Sequence, residues 1–313
     1  MNTVSCLMAL VRWLGSSGYL FVTASPATHE RVNARVAHRE ARCLTDIFGW
    51  SRPFDSALLP AEIMHPLAAG GLVVRDGTLW WSTVRVSSLD GGLYVHSSFP
   101  TTDEDAVFFG PDTYRFAALV REIIGARPTS ERATILDVGS GTGVGGIVAH
   151  RANGGRSRLI LSDISARALD YARANAAFAD VDAAFIESDL FAGIDKKIDR
   201  IVANPPYLAD AKARLYRNGG GRLGSGLSLR IARECAGHLN PGGVLVLYTG
   251  SCIVDGNDLL RRDLLDVARA IGAAARYREI DPDVFGEELE QPGYDNVDRI
   301  AAVSFVMTLP GGA

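Results

Sequence analysis

The spacing of apolar and polar residues changes along the chain. In the first 100 residues, two stretches with helical spacing are followed by runs in which every second residue is apolar. Asp76-Gly77 and Asp90-Gly91 separate these runs, and Asp-Gly between alternating runs is typical of β-hairpins. Two helices followed by β-ribbons could form a winged-helix module. The predicted helices are Thr28–Phe48 and Ser56–Ala69, and the predicted strands are Leu72–Arg75, Leu79–Val86 and Leu93–Ser97.

From Ala133 onward, short apolar runs alternate with stretches of helical spacing. Between Ser165 and Ala179, apolar residues recur at i, i+3, i+7 and i+10, as they do on one face of a helix. Short apolar strands that alternate with helices indicate a doubly wound, mostly parallel sheet. Its predicted strands are Thr134–Val138, Arg158–Ser162, Ala183–Ile186, Arg200–Ala203, Val244–Tyr248, Ala275–Ile280 and Ile300–Met307.

Together these patterns predict an α/β protein with two parts. Residues 1–100 form an N-terminal α+β module that recognises a substrate or partner. Residues 101–313 form a Rossmann-like domain around a seven-stranded sheet. Because ligands of such sheets bind beyond the carboxyl ends of the strands, the residues that follow each strand are the candidates for a site.

The composition is that of a globular protein: of 313 residues, 47% are hydrophobic and 22% charged, with a net charge of −4 at pH 7. This mild negative charge argues against a protein held to nucleic acid mainly by phosphate neutralisation. No stretch reaches the roughly 20 apolar residues of a membrane span, so we expect no membrane association. The four cysteines form no C-x-x-C pair, which predicts free thiols in the cytoplasm, without a zinc site or disulfides.

A glycine-rich segment, Asp137-Val138-Gly139-Ser140-Gly141-Thr142-Gly143, follows the first strand of the predicted sheet. Glycines allow the backbone to turn sharply and to approach a ligand that a Cβ would displace. Gly141, Gly143 and Gly146 also match G-x-G-x-x-G, the fingerprint of a dinucleotide site, although the first of them lies two residues late relative to the strand end. A turn without a ligand is the third interpretation.

Acidic residues end the next two predicted strands. Asp163 stands where a carboxylate can accept both hydroxyls of a ribose, and Asp189 stands where an acceptor could bind the amino group of an adenine. Taken singly, Asp163 could instead cap the following helix, and Asp189 could be a solvated turn residue. A glycine loop and two acids on three successive strand ends predict a nucleoside-binding site.

The fourth predicted strand ends in Asn204-Pro205-Pro206-Tyr207. Two prolines make this turn stiff and remove two backbone donors. The Asn204 side-chain oxygen and the Pro205 carbonyl could accept both hydrogens of a planar –NH2 group, and Tyr207 could lie flat on it. These acceptors would favour pyramidalisation of the nitrogen, aligning its lone pair with an electrophilic methyl group, so positioning and electrostatics would supply the rate. A rigid surface turn is the alternative.

With these motifs, the sequence from Asp103 to the C-terminus resembles the class I S-adenosylmethionine-dependent methyltransferases. It is similar to their N-P-P-Y branch, which includes protein-(glutamine-N5) and N6-adenine methyltransferases. The resemblance implies S-adenosylmethionine as cofactor, an antiparallel last strand, and Asn204, Pro205, Pro206 and Tyr207 as the catalytic residues. The cofactor-binding residues that it implies are Asp137, Gly139, Gly141, Gly143, Asp163, Ile164, Asp189, Leu190 and Asn204.

Other features bear on the methyl acceptor. Glutamine methyltransferases usually continue into a Gly-Asp-Gly-Leu segment, whereas this chain has Gly224-Ser225-Gly226-Leu227 and lacks the Asp. Tyr216 and Arg217 could form a substrate lid on a glycine hinge, or a disordered loop. Phe109 could pack over the bound ligands or simply in the core. These three residues are the candidate substrate contacts. The acidic segment 281–288 could bind a cationic substrate or be a solvated loop.

The leading hypothesis is an N-methyltransferase that acts on a planar amide or amine nitrogen, with a protein glutamine or a small molecule as the favoured acceptor. An N6-adenine methyltransferase acting on RNA or DNA is the alternative, supported by arginines at positions 31, 35, 39 and 42 that would line one helix. A more distant alternative is an NAD-dependent oxidoreductase, which would leave Asn204–Tyr207 without a role. A non-catalytic binding module is the third class.

Overall fold

The computed structural model describes residues 2–129, 132–210 and 214–312. They form two compact units, each described separately. Unit 1 contains Met1–Tyr114, Gly141–Val144 and Ala166–Asp182, and unit 2 contains Arg115–Ser140, Gly145–Ser165 and Ala183–Ala313. The predicted domain division at residue 100 stays a prediction.

The secondary structure runs through the chain as follows. The helices are α1 (Thr3–Ser16), α2 (Pro26–Asn33), α3 (Leu44–Phe48), α4 (Ala61–Ala69), α5 (Pro111–Ala126), α6 (Val144–Ala152), α7 (Ala166–Phe178), α8 (Gly226–His238) and α9 (Leu259–Ile271). The strands are β1 (Val73–Asp76), β2 (Leu79–Ser82), β3 (Val84–Leu89), β4 (Gly92–Ser97), β5 (Thr134–Val138), β6 (Arg158–Asp163), β7 (Ala183–Glu187), β8 (Ile198–Ala203), β9 (Leu239–Val254), β10 (Asn257–Asp258), β11 (Ala274–Asp281) and β12 (Arg299–Thr308).

Unit 1 contains two antiparallel hairpins, β1–β2 and β3–β4, whose turns fall at the two Asp-Gly pairs. Its core packs α1 and α7 against β3 and β4. Sequence patterning did not predict α1, although Asn2 caps it and one face is buried. The buried residues of that face are Cys6, Leu7, Leu10, Val11 and Leu14.

The single helix predicted over Thr28–Phe48 is wrong. The chain forms α2, a short 3-10 turn at Val36–His38 and then α3. Between them the backbone N–H of Ala41 donates to the carbonyl of Pro53 at 2.8 Å, outside any helix. The four arginines at positions 31, 35, 39 and 42 are exposed, but they do not share one helical face.

Unit 2 is built on a twisted sheet with the strand order β11-β12-β9-β8-β5-β6-β7 over the described residues. The pairs from β9 to β7 are parallel, whereas β12 runs antiparallel to both β9 and β11. The predicted α/β class, the mostly parallel seven-stranded sheet and the antiparallel last strand are confirmed. Buried aliphatic residues of β5, β8, β9 and β12 pack with α8 and α9 to form the core.

Strand β9 is longer than predicted. The turn expected at Asn240–Gly243 is part of the strand, which continues to Val254. Its first residues are held by backbone bonds to the C-terminal segment, from Gly242 to Pro310 and from Leu309 to Gly243. Among the helices that the structure describes, none has the length and apolar character needed to cross a bilayer.

Candidate active site

The register of the sheet brings three predicted site residues into one row. Val138 of β5 is aligned with Ser162 of β6 on one side and with Ala203 of β8 on the other. In each strand the next residue along the chain is a candidate: Gly139, Asp163 or Asn204. Adjacent strands lie about 4.8 Å apart, so Asp163 and Asn204 are separated by roughly 10 Å across the end of β5.

The glycine loop has the backbone geometry that only glycine adopts readily. The φ angles of Gly139, Gly141 and Gly143 are +65°, +51° and +78°. A Cβ on Gly139 would meet no atom within 4 Å, so it would project into open space where a ligand can approach the backbone. The nearby Ser140 hydroxyl is buried and has no hydrogen-bond partner among the described residues. An open cradle and an unsatisfied hydroxyl fit a polar ligand at this turn.

Asp137 lies beneath the loop and is almost fully buried. Its Oδ2 accepts a hydrogen bond from the backbone N–H of Gly146 at 2.7 Å, in the first turn of α6. A Cβ on Gly146 would overlap Leu161, so this glycine allows α6 to pack closely on the sheet. Burial, with a smaller contribution from the charge of Asp163, raises the pKa of Asp137 to about 7.

Asp163 lies at the carboxyl end of β6 and is half-buried. Its Oδ1 accepts the backbone N–H of Ser165 at 2.9 Å, which is the capping interaction expected for an Asp before a helix. A carboxylate has about four acceptor positions, so an acid can cap a helix and also accept from a ribose hydroxyl. The adjacent Ile164 is 54% exposed, an apolar surface beside the acid.

Asp189 follows β7 and carries an ion pair. Arg230 Nη1 of α8 lies 2.9 and 3.1 Å from its two carboxylate oxygens, and both side chains are exposed. Leu190 has a φ of +49°, so the chain turns sharply after the acid. The predicted adenine-binding role of Asp189 and Leu190 remains a prediction, and any adenine amino group would share the carboxylate with Arg230.

Asn204 continues directly from β8 into the turn Asn204-Pro205-Pro206-Tyr207. Its side chain is half-buried, and within the described residues its amide has no hydrogen-bond partner. Pro205 is buried, which fixes the turn against the sheet edge. A stiff turn that holds a partner-free amide at the end of a central strand can receive hydrogen bonds from a ligand.

Tyr207 is 7% exposed, so its ring is a packing element of the turn. A Cβ at Gly250 of β9 would overlap the Tyr207 ring. Phe285 contacts the same ring edge-on, with the ring centroids 5.9 Å apart and the planes at 71°. The contacts with Gly250 and Phe285 therefore hold the Tyr207 ring in one orientation.

A second glycine-rich segment, residues 219–226, packs against the Asn204–Tyr207 turn. The N–H of Leu208 donates to the carbonyl of Arg217 at 3.1 Å, and the N–H of Gly219 returns a bond to Leu208 at 2.9 Å. Gly224 has a φ of +80°, and a Cβ there would overlap the Tyr207 carbonyl. The glycines of residues 219–226 were expected to be a hinge. Because they lack a Cβ, their backbone can pack directly against the Asn204–Tyr207 turn and hold it in place.

Arg217 is engaged with acidic residues. It forms an ion pair with Glu288, and its Nε lies 3.6 Å from Asp210. Tyr216 accepts a hydrogen bond from Arg214 Nη1 at 3.2 Å. Within the acidic segment 281–288, Asp281 also pairs with a cation, Arg115, at 2.7 Å. The contacts tie this segment to the protein itself, and a substrate role for Tyr216 and Arg217 remains a prediction.

Phe109 belongs to the core of unit 1. It is fully buried, and its ring centroid lies 5.1 Å from His96, 5.3 Å from Tyr114 and 6.0 Å from Tyr94. A side chain with no exposed surface offers a substrate no contact in this conformation. A substrate role for Phe109 remains a prediction.

Sequence reasoning missed Asn175, a buried residue of α7. Its amide exchanges two hydrogen bonds with the backbone of Val95, at 2.7 and 3.1 Å, and donates to the carbonyl of Thr142 in the glycine loop at 2.9 Å. The signal was present, because Asn175 interrupts a run of alanines on the apolar face of the helix. It holds the second half of the glycine loop within unit 1.

The described residues contain no cluster of three or more His, Cys, Asp or Glu side chains that could hold a metal ion. The candidate groups of the site are the backbone of the glycine loop, the carboxylates of Asp163 and Asp189, and the amide of Asn204. That combination suits a polar organic ligand held at the end of β5 and a planar nitrogen held at the end of β8.

A comparison with protein families bears on the part of the chain that contains this site. Residues 118–262 match the family model of the methyltransferase small domain. This range contains the strands β5 to β8 with the glycine loop, Asp163 and Asn204–Tyr207. The predicted resemblance to the small-methyltransferase branch is confirmed.

Curated proteins similar to this chain include the release factor glutamine methyltransferase of Deinococcus radiodurans. It is 32% identical over 171 residues, which cover 50% of this chain and 56% of that protein. The ribosomal RNA large subunit methyltransferase I of Vibrio vulnificus is 30% identical over 146 residues, covering 43% of this chain and 35% of that protein. The chain thus spans about half the length, or less, of these relatives.

Among solved structures, Trm5b from Pyrococcus abyssi superposes with a TM-score of 0.50 at 16% identity. The superposition covers 76% of this chain and 62% of that one. At this identity the likeness concerns the fold alone.

Proposed function

We propose that this protein is an S-adenosylmethionine-dependent methyltransferase that methylates the side-chain amide nitrogen of a protein glutamine. The observation that carries the proposal is the partner-free amide of Asn204 on a stiff turn, one strand away from the glycine cradle at Gly139. The methyltransferase small domain supports group transfer over hydride transfer, the chemistry of the NAD alternative.

The residues at the ends of β5 and β6 fit S-adenosylmethionine. Gly139 offers its open backbone, Ser140 an unsatisfied hydroxyl, and Asp163 acceptor capacity for ribose hydroxyls. Exposed Ile164 offers an apolar surface for an adenine ring. When bound, the cofactor supplies an electrophilic methyl group. The protein contributes position and a negative field from Asp163 beside a cationic ligand.

The residues at the end of β8 would hold the methyl acceptor. An amide nitrogen is a poor nucleophile because its lone pair is delocalised into the carbonyl. The Asn204 side-chain oxygen and the Pro205 carbonyl would accept its two N–H bonds and favour pyramidal geometry at nitrogen. As positive charge develops there, the two oxygens stabilise it, and the proton can then leave without a dedicated base.

The choice of glutamine rests on the relatives named as release factor glutamine methyltransferases. Two observations favour it over an adenine in RNA: the net charge of −4 and the scattering of the exposed arginines over separate elements. The similarity to a ribosomal RNA methyltransferase keeps an RNA base as the second candidate acceptor. This chain has Gly224-Ser225-Gly226-Leu227 where glutamine methyltransferases usually have Gly-Asp-Gly-Leu, so the experiment below tests the identity of the acceptor first.

The test is methyl transfer from labelled S-adenosylmethionine to separate pools of purified release factors, total RNA and small amides. We expect label in a glutamine of the protein pool, lost on alkaline hydrolysis as methylamine. Label in RNA alone would replace glutamine by an RNA base as the acceptor, and digestion to nucleosides would show whether that base is adenine. Absence of transfer to any pool, with no cofactor binding by calorimetry, would refute the whole proposal.

The variant Asn204→Ala tests the role of the turn. It should lower turnover by about 100-fold or more, while the Kd for S-adenosylmethionine changes by less than roughly threefold. Asn257→Ala in β10 is a matched control, because Asn257 is exposed and bonds only locally to Asp255. Equal turnover in Asn204→Ala and the control would overturn the assignment of Asn204.

A further inference from the structure

The β3–β4 ribbon of unit 1 has two different faces. Val84, Val86 and Val95 point into the apolar core of the unit. Register places Arg85 opposite His96, and Ser87 opposite Tyr94, on the other face. That second face is polar, yet these four side chains are buried. A buried polar face requires partners for its charges and donors.

Arg85 has fewer partners than its burial requires. It is 3% exposed, its Nε donates to the carbonyl of Ser97 at 3.3 Å, and its guanidinium carbon lies 5.9 Å from the ring centroid of Phe99. Within the part of the chain that the structure describes, no carboxylate forms an ion pair with it. A guanidinium has five N–H donors, so most of its capacity is unused by the protein.

Arg52 of the same unit is a buried arginine with a structural role, and it serves as the comparison for Arg85. It is 6% exposed, it forms an ion pair with Asp46, and it lies 5.7 Å from the ring centroid of Trp50. Both arginines thus pack against an aromatic ring, but only Arg52 has its counter-charge within the protein.

The titratable groups around Arg85 do not neutralise it. Burial, and then the charge of Arg85, lowers the pKa of His29 to about 4 and lowers the pKa of His96 well below its usual value, so both rings are neutral at pH 7. Burial raises the pKa values of Tyr19 and Tyr114, so neither phenol is an anion. The cluster therefore carries one positive charge.

A second unsatisfied group lies on the same aromatic ring. His29 is fully buried and its ring centroid lies 4.2 Å from that of Phe99. Its Nε2 is bonded to the Trp50 carbonyl at 2.8 Å, whereas its Nδ1 has no partner among the described residues. Arg85 and His29 thus both contact Phe99. Because the neutral His29 ring donates through Nε2, its Nδ1 is an acceptor, so the hydrogen bonds to an anion at this place would come from Arg85.

We propose that Arg85 is the anchor of a binding site in unit 1 for a carboxylate ligand. An unpaired buried cation opposes folding, and an anion that binds only the folded state offsets that cost. A carboxylate carries the single negative charge that matches the single positive charge of the cluster, and it pairs with guanidinium through two parallel hydrogen bonds. A phosphate dianion would leave one negative charge buried without a partner. This site is independent of the proposed methyl transfer.

The first test compares the variants Arg85→Met and Arg52→Met by thermal unfolding. Met keeps much of the apolar stem and removes the charge. Arg52→Met leaves Asp46 buried without its partner, so we expect its Tm to fall by about 5 °C or more. Arg85→Met removes a cation that has no counter-charge, so its Tm should equal or exceed that of the wild type. A fall as large as that of Arg52→Met would overturn the proposal, because Arg85 would then have a structural role.

The second test is ligand binding, with formate and acetate as small probes and chloride at equal ionic strength as the reference. We expect the Tm of the wild type to rise with probe concentration, by about 5 °C once the probe is near 100-fold above its Kd. The Nε–H resonance of Arg85, assigned from its loss in Arg85→Met, should shift with the same midpoint. Arg85→Met should show neither effect, and Arg52→Met should keep both.

Two outcomes contradict the carboxylate site. If neither probe shifts the Arg85 resonance at 0.5 M, the group binds no carboxylate. If inorganic phosphate shifts it at lower concentration than acetate does, the matching of single charges is wrong and the ligand class is a phosphate.

Discussion

The ring of Tyr207 lies directly over the backbone of Gly250, at a distance that leaves no space for a Cβ on that residue. Gly250 sits within β9, the strand that neighbours β8 in the sheet. Because Gly250 has no side chain, the ring of Tyr207, the last residue of the Asn204–Tyr207 turn, can lie against its backbone. The Phe285 ring holds Tyr207 from another side.

We predict that Gly250→Ala impairs the reaction by displacing Tyr207 and, with it, the Asn204 amide. A misplacement of about 1 Å can lower turnover by roughly 100-fold. The overlap should also lower the free energy of unfolding by about 1–3 kcal/mol. Turnover is measured with the acceptor identified as above, and the free energy by urea unfolding.

Gly237→Ala is the matched control. Gly237 lies in α8, and a Cβ there would meet no atom within 4 Å. Gly237 lies in the last turn of α8, where Ala is a better helix former than Gly, so this variant should be equally or more stable, with normal turnover. Wild-type turnover in Gly250→Ala would show that the Tyr207 position does not matter to the reaction.

The ion pair between Arg217 and Glu288 should stabilise the segment that closes on the turn. Both side chains are largely buried, at 22% and 8% exposure, in contrast to exposed pairs. Removal of Arg217 leaves the Glu288 charge buried without this partner, whereas removal of Glu288 leaves Arg217 with the longer contact to Asp210 at 3.6 Å. In a double-mutant cycle of Arg217→Met and Glu288→Gln, we predict a coupling energy of about 1–3 kcal/mol in unfolding free energy.

Arg269 and Asp266 provide the comparison cycle. They pair at 2.7 Å on α9 with side chains 77% and 54% exposed, and such pairs are worth about 0.5 kcal/mol or less. If Arg217 contacts a substrate, Arg217→Met should also raise KM more than Glu288→Gln does. Equal coupling energies in the two cycles would mean that the Arg217–Glu288 pair has no special role.

The row of Gly139, Asp163 and Asn204 could be predicted from sequence because it depends on local patterns and one rule of topology. Apolar runs mark parallel strands, and the carboxyl ends of neighbouring parallel strands lie at one edge of the sheet. Any residue that follows such a run is thereby placed. The same reasoning correctly assigned the hairpin turns at Asp76-Gly77 and Asp90-Gly91.

The features that sequence did not reveal depend on contacts between distant segments. The helix predicted over Thr28–Phe48 breaks because Ala41 finds a backbone partner in Pro53. The strand β9 runs through Asn240–Gly243 because residues near the C-terminus pair with it. Neither interaction leaves a periodic trace in the segment that it reshapes. The burial of Phe109 likewise depends on rings from three other positions along the chain.

Asn175 offers a test of such a long-range contact. Asn175→Ala would leave the N–H and carbonyl of Val95 and the carbonyl of Thr142 without their partners in a buried place. We predict a loss of about 2–4 kcal/mol in unfolding free energy, measured in urea. Asp170→Ala on the same helix removes an exposed ion pair with Arg173 and should cost less than about 0.5 kcal/mol. A loss that small in Asn175→Ala would show that water replaces the amide.

Asp137 should make the stability of the fold depend on pH. Burial raises its pKa to about 7 in the folded chain, from an ordinary value of 3.8. The protonated acid favours the folded state, so its contribution is complete below pH 3.8 and is lost as the pH rises to 7. Asp137→Asn can keep the acceptor for Gly146 but cannot ionise. Its unfolding free energy relative to wild type should therefore rise between pH 4 and 7, by up to about 4 kcal/mol, since one pKa unit is about 1.4 kcal/mol. A difference that stays flat across this range would show that Asp137 ionises normally in the folded protein.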